Sequence, residues 1–309
     1  MHIVIIGVGG VGGYFGGKIA NSGQKVTLIA RGKHLEAIQK NGLQVKSING
    51  DFVAKPYMTT DNIDEVEKAD LILICTKSWQ VAEAANKIIP ILKEDTIVIP
   101  LQNGADNVEK IQSIIDPKHV VGGLCKIYSK IEAPGIISHF GYDPEVVFGE
   151  VNKEQTSRVH LIKKMFNYAG FRNTISKDIT ADIWKKFMFI ATVSGLGALT
   201  RATLGEMYRH GLVEILEETA QEIYTIAIAK NVNLPKNSVG NTIKFISKQP
   251  HDSTASTQRD IIEGRPSELD NFNGFIVKEG QKLGIPTPVN KFIYSCLQPM
   301  EAKARLTKN

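Results

Sequence analysis

No apolar run in the sequence approaches the ~20 residues that a helix needs to cross a bilayer, so no membrane-spanning role is expected. Cysteine is scarce. Cys75, Cys125 and Cys296 are far apart and form no C-x-x-C or Cys/His pattern, which excludes a disulfide scaffold and a zinc ligand set. Charge of one sign is also not concentrated. The 37 Lys and Arg against 32 Asp and Glu leave a net +5 that is spread along the chain. A scattered excess favours small anionic ligands and gives no footprint for nucleic acid. A basic-then-apolar leader is missing too, because His2–Ile6 reads as a strand; with the unpaired cysteines, this makes the cytoplasm the expected location. Internal repeats and low-complexity segments are lacking. What remains is a 309-residue chain, 42% apolar and 22% charged, with the composition of a soluble globular protein and room for two domains.

The strongest local pattern lies at the start. His2-Ile3-Val4-Ile5-Ile6 is a short apolar run of the kind found in buried parallel strands. Gly7-Val8-Gly9-Gly10-Val11-Gly12 follows and fits G-x-G-x-x-G, with a predicted helix continuing to about Ser22. Gly7 permits a tight turn, Gly9 lets a pyrophosphate approach backbone, and Gly12 lets helix and strand pack closely. The helix N-terminus would then offer its unpaired N–H groups to phosphate. The alternative is a glycine loop with no ligand, and the strand–loop–helix context favours the dinucleotide.

Lys25–Ala30 is the second predicted strand. A dinucleotide domain specific for NAD carries a carboxylate at this point, on the ribose hydroxyls. This chain has Ala30-Arg31-Gly32-Lys33 instead. Arg31 can hold a 2′-phosphate through charge-assisted bonds, so NADP(H) is the expected cofactor, against the alternative of a solvated arginine. Leu43–Met58 alternates around Asn49-Gly50 and predicts a hairpin. Strands are predicted over Ala69–Cys75, Thr96–Pro100 and His119–Lys126. Gly135–Phe140 and Val146–Gly149 are expected as an antiparallel pair completing the sheet, with His139 exposed. Lys77 and Asn103 follow strand ends, where open α/β sheets bind ligands. A helix over Thr156–Ala169 and a strand over Phe171–Ile175 close this part.

Beyond Ser176 the alternation of strand and helix stops. Asp178–Leu199, Gly211–Asn231, Ser238–Ser247, Pro266–Leu283 and Asn290–Ala304 have helical patterns. The fold class is thus an α/β Rossmann-like N-terminal domain with a mostly parallel sheet, over residues 1–176, plus an all-α C-terminal domain over 177–309 that would carry the substrate and catalytic groups.

Gly7–Gly12, Ala30-Arg31, Thr76-Lys77-Ser78-Trp79-Gln80, Gln102-Asn103-Gly104, Trp184-Lys185-Lys186, and Asp260 through Gly264-Arg265-Pro266-Ser267-Glu268-Leu269-Asp270 to Asn273-Gly274 stand in an order and spacing that resembles the ketopantoate reductases (2-dehydropantoate 2-reductases). The resemblance runs over essentially the whole chain. It implies NADPH-dependent reduction of 2-dehydropantoate to pantoate, in the pantothenate and coenzyme A pathway, in a cleft between the two domains. Lys186 matches the lysine at the substrate carbonyl, as proton donor, and Lys185 does not. Glu268 matches a glutamate near the nicotinamide ribose. Asn103 matches the asparagine at the junction of cofactor and substrate, Lys77 a lysine lining the cofactor site, and Ser256 the serine on the substrate carboxylate. Together with Gly7, Val8, Gly9, Gly10, Val11, Gly12 and Arg31, these make up the expected site.

The chain also departs from that pattern. Ile190 and Ser194 stand where the family has asparagines on the face of the lysine helix, and Ser253 stands at a third asparagine position. Ser194 and Ser253 join Asn103 and Ser256 as expected substrate contacts, with Arg201 as a further carboxylate binder or a surface arginine. Isoleucine cannot replace an asparagine that bonds a substrate hydroxyl. Two rivals follow: an NADP-dependent reductase of another small 2-oxo acid, and a regulatory protein that binds NADPH without turnover. The expected partner is a small-molecule 2-oxo acid, with no nucleic acid, membrane or metal, and the assembly is open to a homodimer.

Overall fold

The computed structural model describes residues 1–306. The chain folds as two compact units, Met1–Ile179 and Thr180–Asn309. The division falls at Ile179, the first residue of a long helix.

In the N-terminal unit the order is β1 (His2–Ile6), α1 (Gly10–Asn21), β2 (Lys25–Ile29), α2 (Gly32–Asn41), β3 (Leu43–Ser47), β4 (Phe52–Ala54), β5 (Met58–Thr60), β6 (Ala69–Ile74), α3 (Val81–Ile88), β7 (Leu92–Pro100), α4 (Asn107–Gln112), β8 (Gly122–Ala133), β9 (Ile136–Gly149), α5 (Ser157–Tyr168) and β10 (Arg172–Ile175). Five strands form a parallel sheet in the order β5-β2-β1-β6-β7. Its central strands are buried on both faces, which is why they read as continuous apolar runs. Ile3, Ile5, Leu28, Leu71 and Leu73 face α1 and its surroundings. Val4, Ile6, Ile72 and Ile74 face α3 and α4 through Val81, Ala85, Ile88 and Ile111.

A second sheet has the order β10-β9-β3-β4, with β8 paired to β9. Here the structure corrects several sequence expectations. Leu43–Ala54 does form an antiparallel pair, but Met58 opens β5 and joins the parallel sheet. Gly135–Phe140 and Val146–Gly149 are not a pair of strands. They are one strand, β9, which lies antiparallel to β8 and parallel to β3 and β10. Gly141 and Asp143-Pro144, of turn-forming type, interrupt the strand pattern between these two segments. The physical basis is a register break: β8 pairs Lys126 with Glu145 and then Tyr128 with Phe140, so Pro144 falls where no ladder N–H is needed.

His139 is buried, not exposed. It shares with Ile137 the face of β9 that α1 covers, its ring 4.6 Å from that of Tyr14. Its Nδ1 lies 2.8 Å from Ser47 Oγ and its Nε2 3.0 Å from Tyr142 O, so it serves as a core polar bridge.

The C-terminal unit is helical: α6 (Ile179–Thr200), α7 (Leu204–Arg209), α8 (Val213–Ala229), α9 (Ser238–Ser247), α10 (Ser256–Ile262), α11 (Asn273–Leu283) and α12 (Pro288–Leu306). The expected helix over Pro266–Leu283 exists only from Asn273. Residues 266–272 are a loop with a single 3-10 turn at Leu269–Asn271. The short helices α7 and α10 have too few turns to show periodicity in the sequence. Val193, Leu196, Met207, Leu216, Ile246, Ile261 and Ile293 form one core. Among the described residues no helix is long and apolar enough to cross a membrane, and no His/Cys/Asp/Glu group could hold a metal.

Candidate active site

In the N-terminal unit the parallel register sets the candidate residues. Ile6 pairs with Ile29 and Ile74, and Ile74 with Pro100. The four strands therefore end on one line, and Gly7, Arg31, Lys77 and Asn103 leave the sheet at the same carboxyl edge. This is where the strand order reverses from β1-β2 to β6-β7.

The glycines of the loop have three different environments. Gly7 has φ +93, and a Cβ there would lie 2.9 Å from Thr76 N. At Gly12 a Cβ would lie 2.0 Å from Gly7 O, so this glycine allows α1 to pack on the strand end. Gly9 is the contrast: nothing lies within 4 Å of its would-be Cβ, and its φ of −78° suits any residue. The protein itself does not require glycine at that point. Gly9 is the N-cap of α1 and offers no side chain to the first amides of the helix. An open, uncapped helix start over a small residue fits a pyrophosphate, so these residues fit a dinucleotide.

Arg31 is the N-cap of α2, which has no acid in its first turn. Its side chain is mostly exposed and its Nη2 lies 3.5 Å from Glu83 Oε1, while Lys87 holds the same carboxylate at 2.6 Å. The Lys87 hydrogen bond, helped by Arg31, keeps the Glu83 carboxyl below the ordinary carboxylate range. Lys77 is half-buried, its Nζ 5.7 Å from the centre of the Trp79 ring. Asn103 O accepts from Asn107 Nδ2 at 3.1 Å. Gln102 Nε2 donates to Thr76 Oγ1 at 3.2 Å and ties the two loops together, while its buried Oε1 has no partner.

Sequence reasoning passed over His34. Its Nδ1 accepts from Gly135 N at 2.9 Å, and its buried Nε2 lies on the side of the Val8 carbonyl of the glycine loop. Burial pushes its pKa down, against the opposing pull of that carbonyl. Its signal in the sequence was only its place on α2.

In the C-terminal unit the candidate residues lie on α6 and on the segments that pack against it. Lys186 is half-buried, and Trp184 and Phe187, on the same helix, are buried. Phe272 and Phe275 pack on those rings at 5.7–6.0 Å, so the segment that follows Glu268 is set against the turn that carries Lys186. Ile190 and Ser194 continue the Lys186 face at i+4 and i+8. Ser194 is fully buried and its Oγ has no partner. Glu268 is 4% exposed, and its carbonyl accepts from Asn271 N and Phe272 N at 3.0 Å.

Two glycines of α6 admit polar side chains against the helix backbone. A Cβ at Gly195 would lie 2.5 Å from Asn273 Oδ1, and one at Gly197 would lie 2.6 Å from Gln258 Oε1. Gln258 also donates to Ala202 O at 2.8 Å, which docks α10 on the end of α6. Ser256 opens α10 and is half-buried, and Thr257 beside it has a buried, unpartnered Oγ1. Ser253 lies in the preceding loop, where its carbonyl accepts from Leu204 N at 2.9 Å. Arg201 is exposed at the end of α6 with φ +58°.

Comparison with known proteins finds matches to each unit. The model of the ketopantoate reductase PanE/ApbA family matches residues 3–153, and the model of that family's C-terminal region matches residues 178–301. An uncharacterized oxidoreductase of Bacillus subtilis is 29% identical over 98% of this chain and 100% of its own length. A 2-dehydropantoate 2-reductase of Pyrococcus horikoshii is 28% identical over 98% of both chains. The crystal structure of a PanE/ApbA family ketopantoate reductase from Ralstonia eutropha superposes with a TM-score of 0.90 at 30% identity, covering 99% of this chain and 100% of that one. From the glycine loop to the helix that carries Lys186, this chain belongs to the ketopantoate reductase family of dinucleotide-binding oxidoreductases.

Proposed function

We propose that the protein reduces a small 2-oxo acid, 2-dehydropantoate before others, to the 2-hydroxy acid with NADPH. The N-terminal unit would hold the cofactor, and the C-terminal unit the substrate and the proton donor. Gly9 and the first amides of α1 would receive the pyrophosphate, and Arg31 the 2′-phosphate. Lys77 and Asn103 would line the nicotinamide side. A reduced nicotinamide supplies, when bound, the hydride that adds to the 2-oxo carbon. The electron pair of the carbonyl bond moves to oxygen as that bond becomes single. Lys186 stabilises the oxyanion through its ammonium and donates the proton that completes the hydroxyl. Glu268 would act beside it as a polar support, with Ser256 on the substrate carboxylate and Ser253 as a further substrate contact.

The observation that carries this reading is the shared face of α6. It places an ammonium and, two turns on, a buried hydroxyl with no protein partner. Such a hydroxyl costs about 1–3 kcal/mol while unpaired, and a bound hydroxy or oxo acid would satisfy it. Ile190, between them, favours a second substrate reading: a 2-oxo acid with no hydroxyl to bond at that level. Following the loss of NADPH absorbance with a panel of 2-oxo acids tests both. Turnover of 2-dehydropantoate ahead of the panel supports the first reading, and turnover of an unsubstituted 2-oxo acid ahead of it supports the second. Tight NADPH binding with no turnover on any acid would refute both and leave a regulatory NADPH-binding protein.

A further inference from the structure

The loop that carries Glu268 is fastened from one side by the last turns of α12. Ser267, fully buried, has every polar group engaged there. Its N–H donates to both oxygens of Glu301, at 3.1 and 3.0 Å, and its hydroxyl donates to Glu301 Oε2. Its carbonyl accepts from Arg305 Nη2 at 3.2 Å, and Arg305 Nη2 also lies 2.7 Å from Glu301 Oε1. Glu301 is 5% exposed. A carboxylate is seldom buried so deeply unless it is paired and fully hydrogen-bonded. On the other side of Glu268 its own carbonyl holds Asn271 and Phe272, and Leu269 N donates to Ser267 Oγ at 3.2 Å. Both peptide planes around Glu268 are therefore fixed.

We propose that Glu301 and Arg305 are positioning residues, which set the backbone of Glu268 so that its carboxylate is aimed for the reaction. This rests on the reading of Glu268 given above. The chemistry requires a carboxylate at 301 and not simply a polar group. Both oxygens accept hydrogen bonds from Ser267, and one also faces a guanidinium. A glutamine would turn its NH2 against the Ser267 N–H or against Arg305, leaving a donor facing a donor. The loop would then settle elsewhere, and a shift of about 1 Å in a supporting group lowers turnover by up to about 100-fold.

The test is a double-mutant cycle on kcat in the NADPH-dependent reaction, using Glu301→Gln, Glu268→Gln and the pair, with NADPH affinity and thermal midpoint measured for each. The expected result is a loss in kcat of about 10- to 100-fold for Glu301→Gln, NADPH affinity unchanged, and no further loss when it is added to Glu268→Gln. A merely stabilising role would lower the thermal midpoint and leave kcat per folded molecule at the wild-type value; that outcome overturns the proposal. So does full additivity in the cycle. Glu268→Gln with wild-type turnover overturns the reading of Glu268 itself, and the positioning role with it. Should Glu301→Gln not fold, Ser267→Ala and Arg305→Lys answer the same question: Ser267→Ala is expected to lower kcat and to be silent in the Glu268→Gln background, with Arg305→Lys closer to wild type.

Discussion

Replacing Arg31 with alanine should separate the two nicotinamide cofactors, and the size of the effect follows from the neighbours of that side chain. A hydrogen bond to a charged group contributes about 1.5–3 kcal/mol, which is about 10- to 150-fold in NADPH affinity. Exposure of the guanidinium argues for the lower half of that range. The structure adds a second contribution. Glu83 Oε1 lies 3.5 Å from Arg31 Nη2. A 2′-phosphate on the other edge of the guanidinium would lie about 7 Å from this carboxylate, where a dianion is repelled by about 1 kcal/mol in water. Lys87 and Arg31 share the neutralisation of this carboxylate, and Arg31→Ala uncovers the part that Arg31 supplies. Arg31→Ala/Glu83→Gln should therefore recover up to about fivefold of the lost NADPH affinity. NADH, which has no 2′-phosphate, should bind all three proteins alike. Titration of cofactor fluorescence at low and physiological salt measures each case, and the recovery should shrink as the Debye length falls to about 8 Å. Equal weakening of NADH and NADPH by Arg31→Ala, or none of either, would refute the 2′-phosphate assignment.

Other consequences can be measured in the same way. Gly9→Val should fold, since nothing lies within 4 Å of its new Cβ, yet lose NADPH binding, whereas Gly12→Ala should unfold because its Cβ would meet Gly7 O; undiminished affinity in folded Gly9→Val would end the pyrophosphate assignment. Lys186→Ala should lower turnover by about 10²–10⁴-fold with NADPH binding retained, and Lys185→Ala should do little, because Lys185 is exposed and bonds Asp182 at 3.1 Å; near-normal turnover in Lys186→Ala removes it as the acid. The pKa of His34 is lowered on folding from its ordinary 6.5, so the unfolded chain takes up the proton first. Stability should fall as the pH drops below 6.5 towards the folded-state pKa, and His34→Gln should flatten that slope in urea unfolding; parallel profiles would show that His34 does not titrate there.

The parallel sheet was legible because its strands are buried on both faces and each ends in a loop with its own chemistry. Gly7–Gly12, Arg31, Lys77 and Asn103 stand out by position alone once the strands are found. The second sheet was not legible. Gly141 and Pro144 look like a turn in sequence, and only the pairing partners of β9 show that they sit in a register break. His139 was misjudged for the same reason, since alternation gives two faces but does not say that α1 covers one of them. In the helical unit, periodicity gave the long helices and resemblance gave Lys186 and Glu268. The contacts that hold Glu268 join Ser267 to Glu301 across 34 positions, a separation that no local pattern reports.

The single strand β9 also governs the order in which this unit can form. β3 is made early in the chain, and its parallel partner is ninety-two residues further on, at His139 opposite Ser47. Until β9 emerges, β3 and β4 are a hairpin of two strands, which is marginal in water, and α1 has only one sheet to cover. Closing so long a loop in parallel register is slow, because the entropy is lost before the ladder forms. A chain cut before Ile136 would keep every glycine of the loop and still lack the strand that buries the far side of α1. Dinucleotide binding by this protein should therefore be an acquisition of the complete N-terminal unit, absent from nascent or truncated chains that already carry the whole motif.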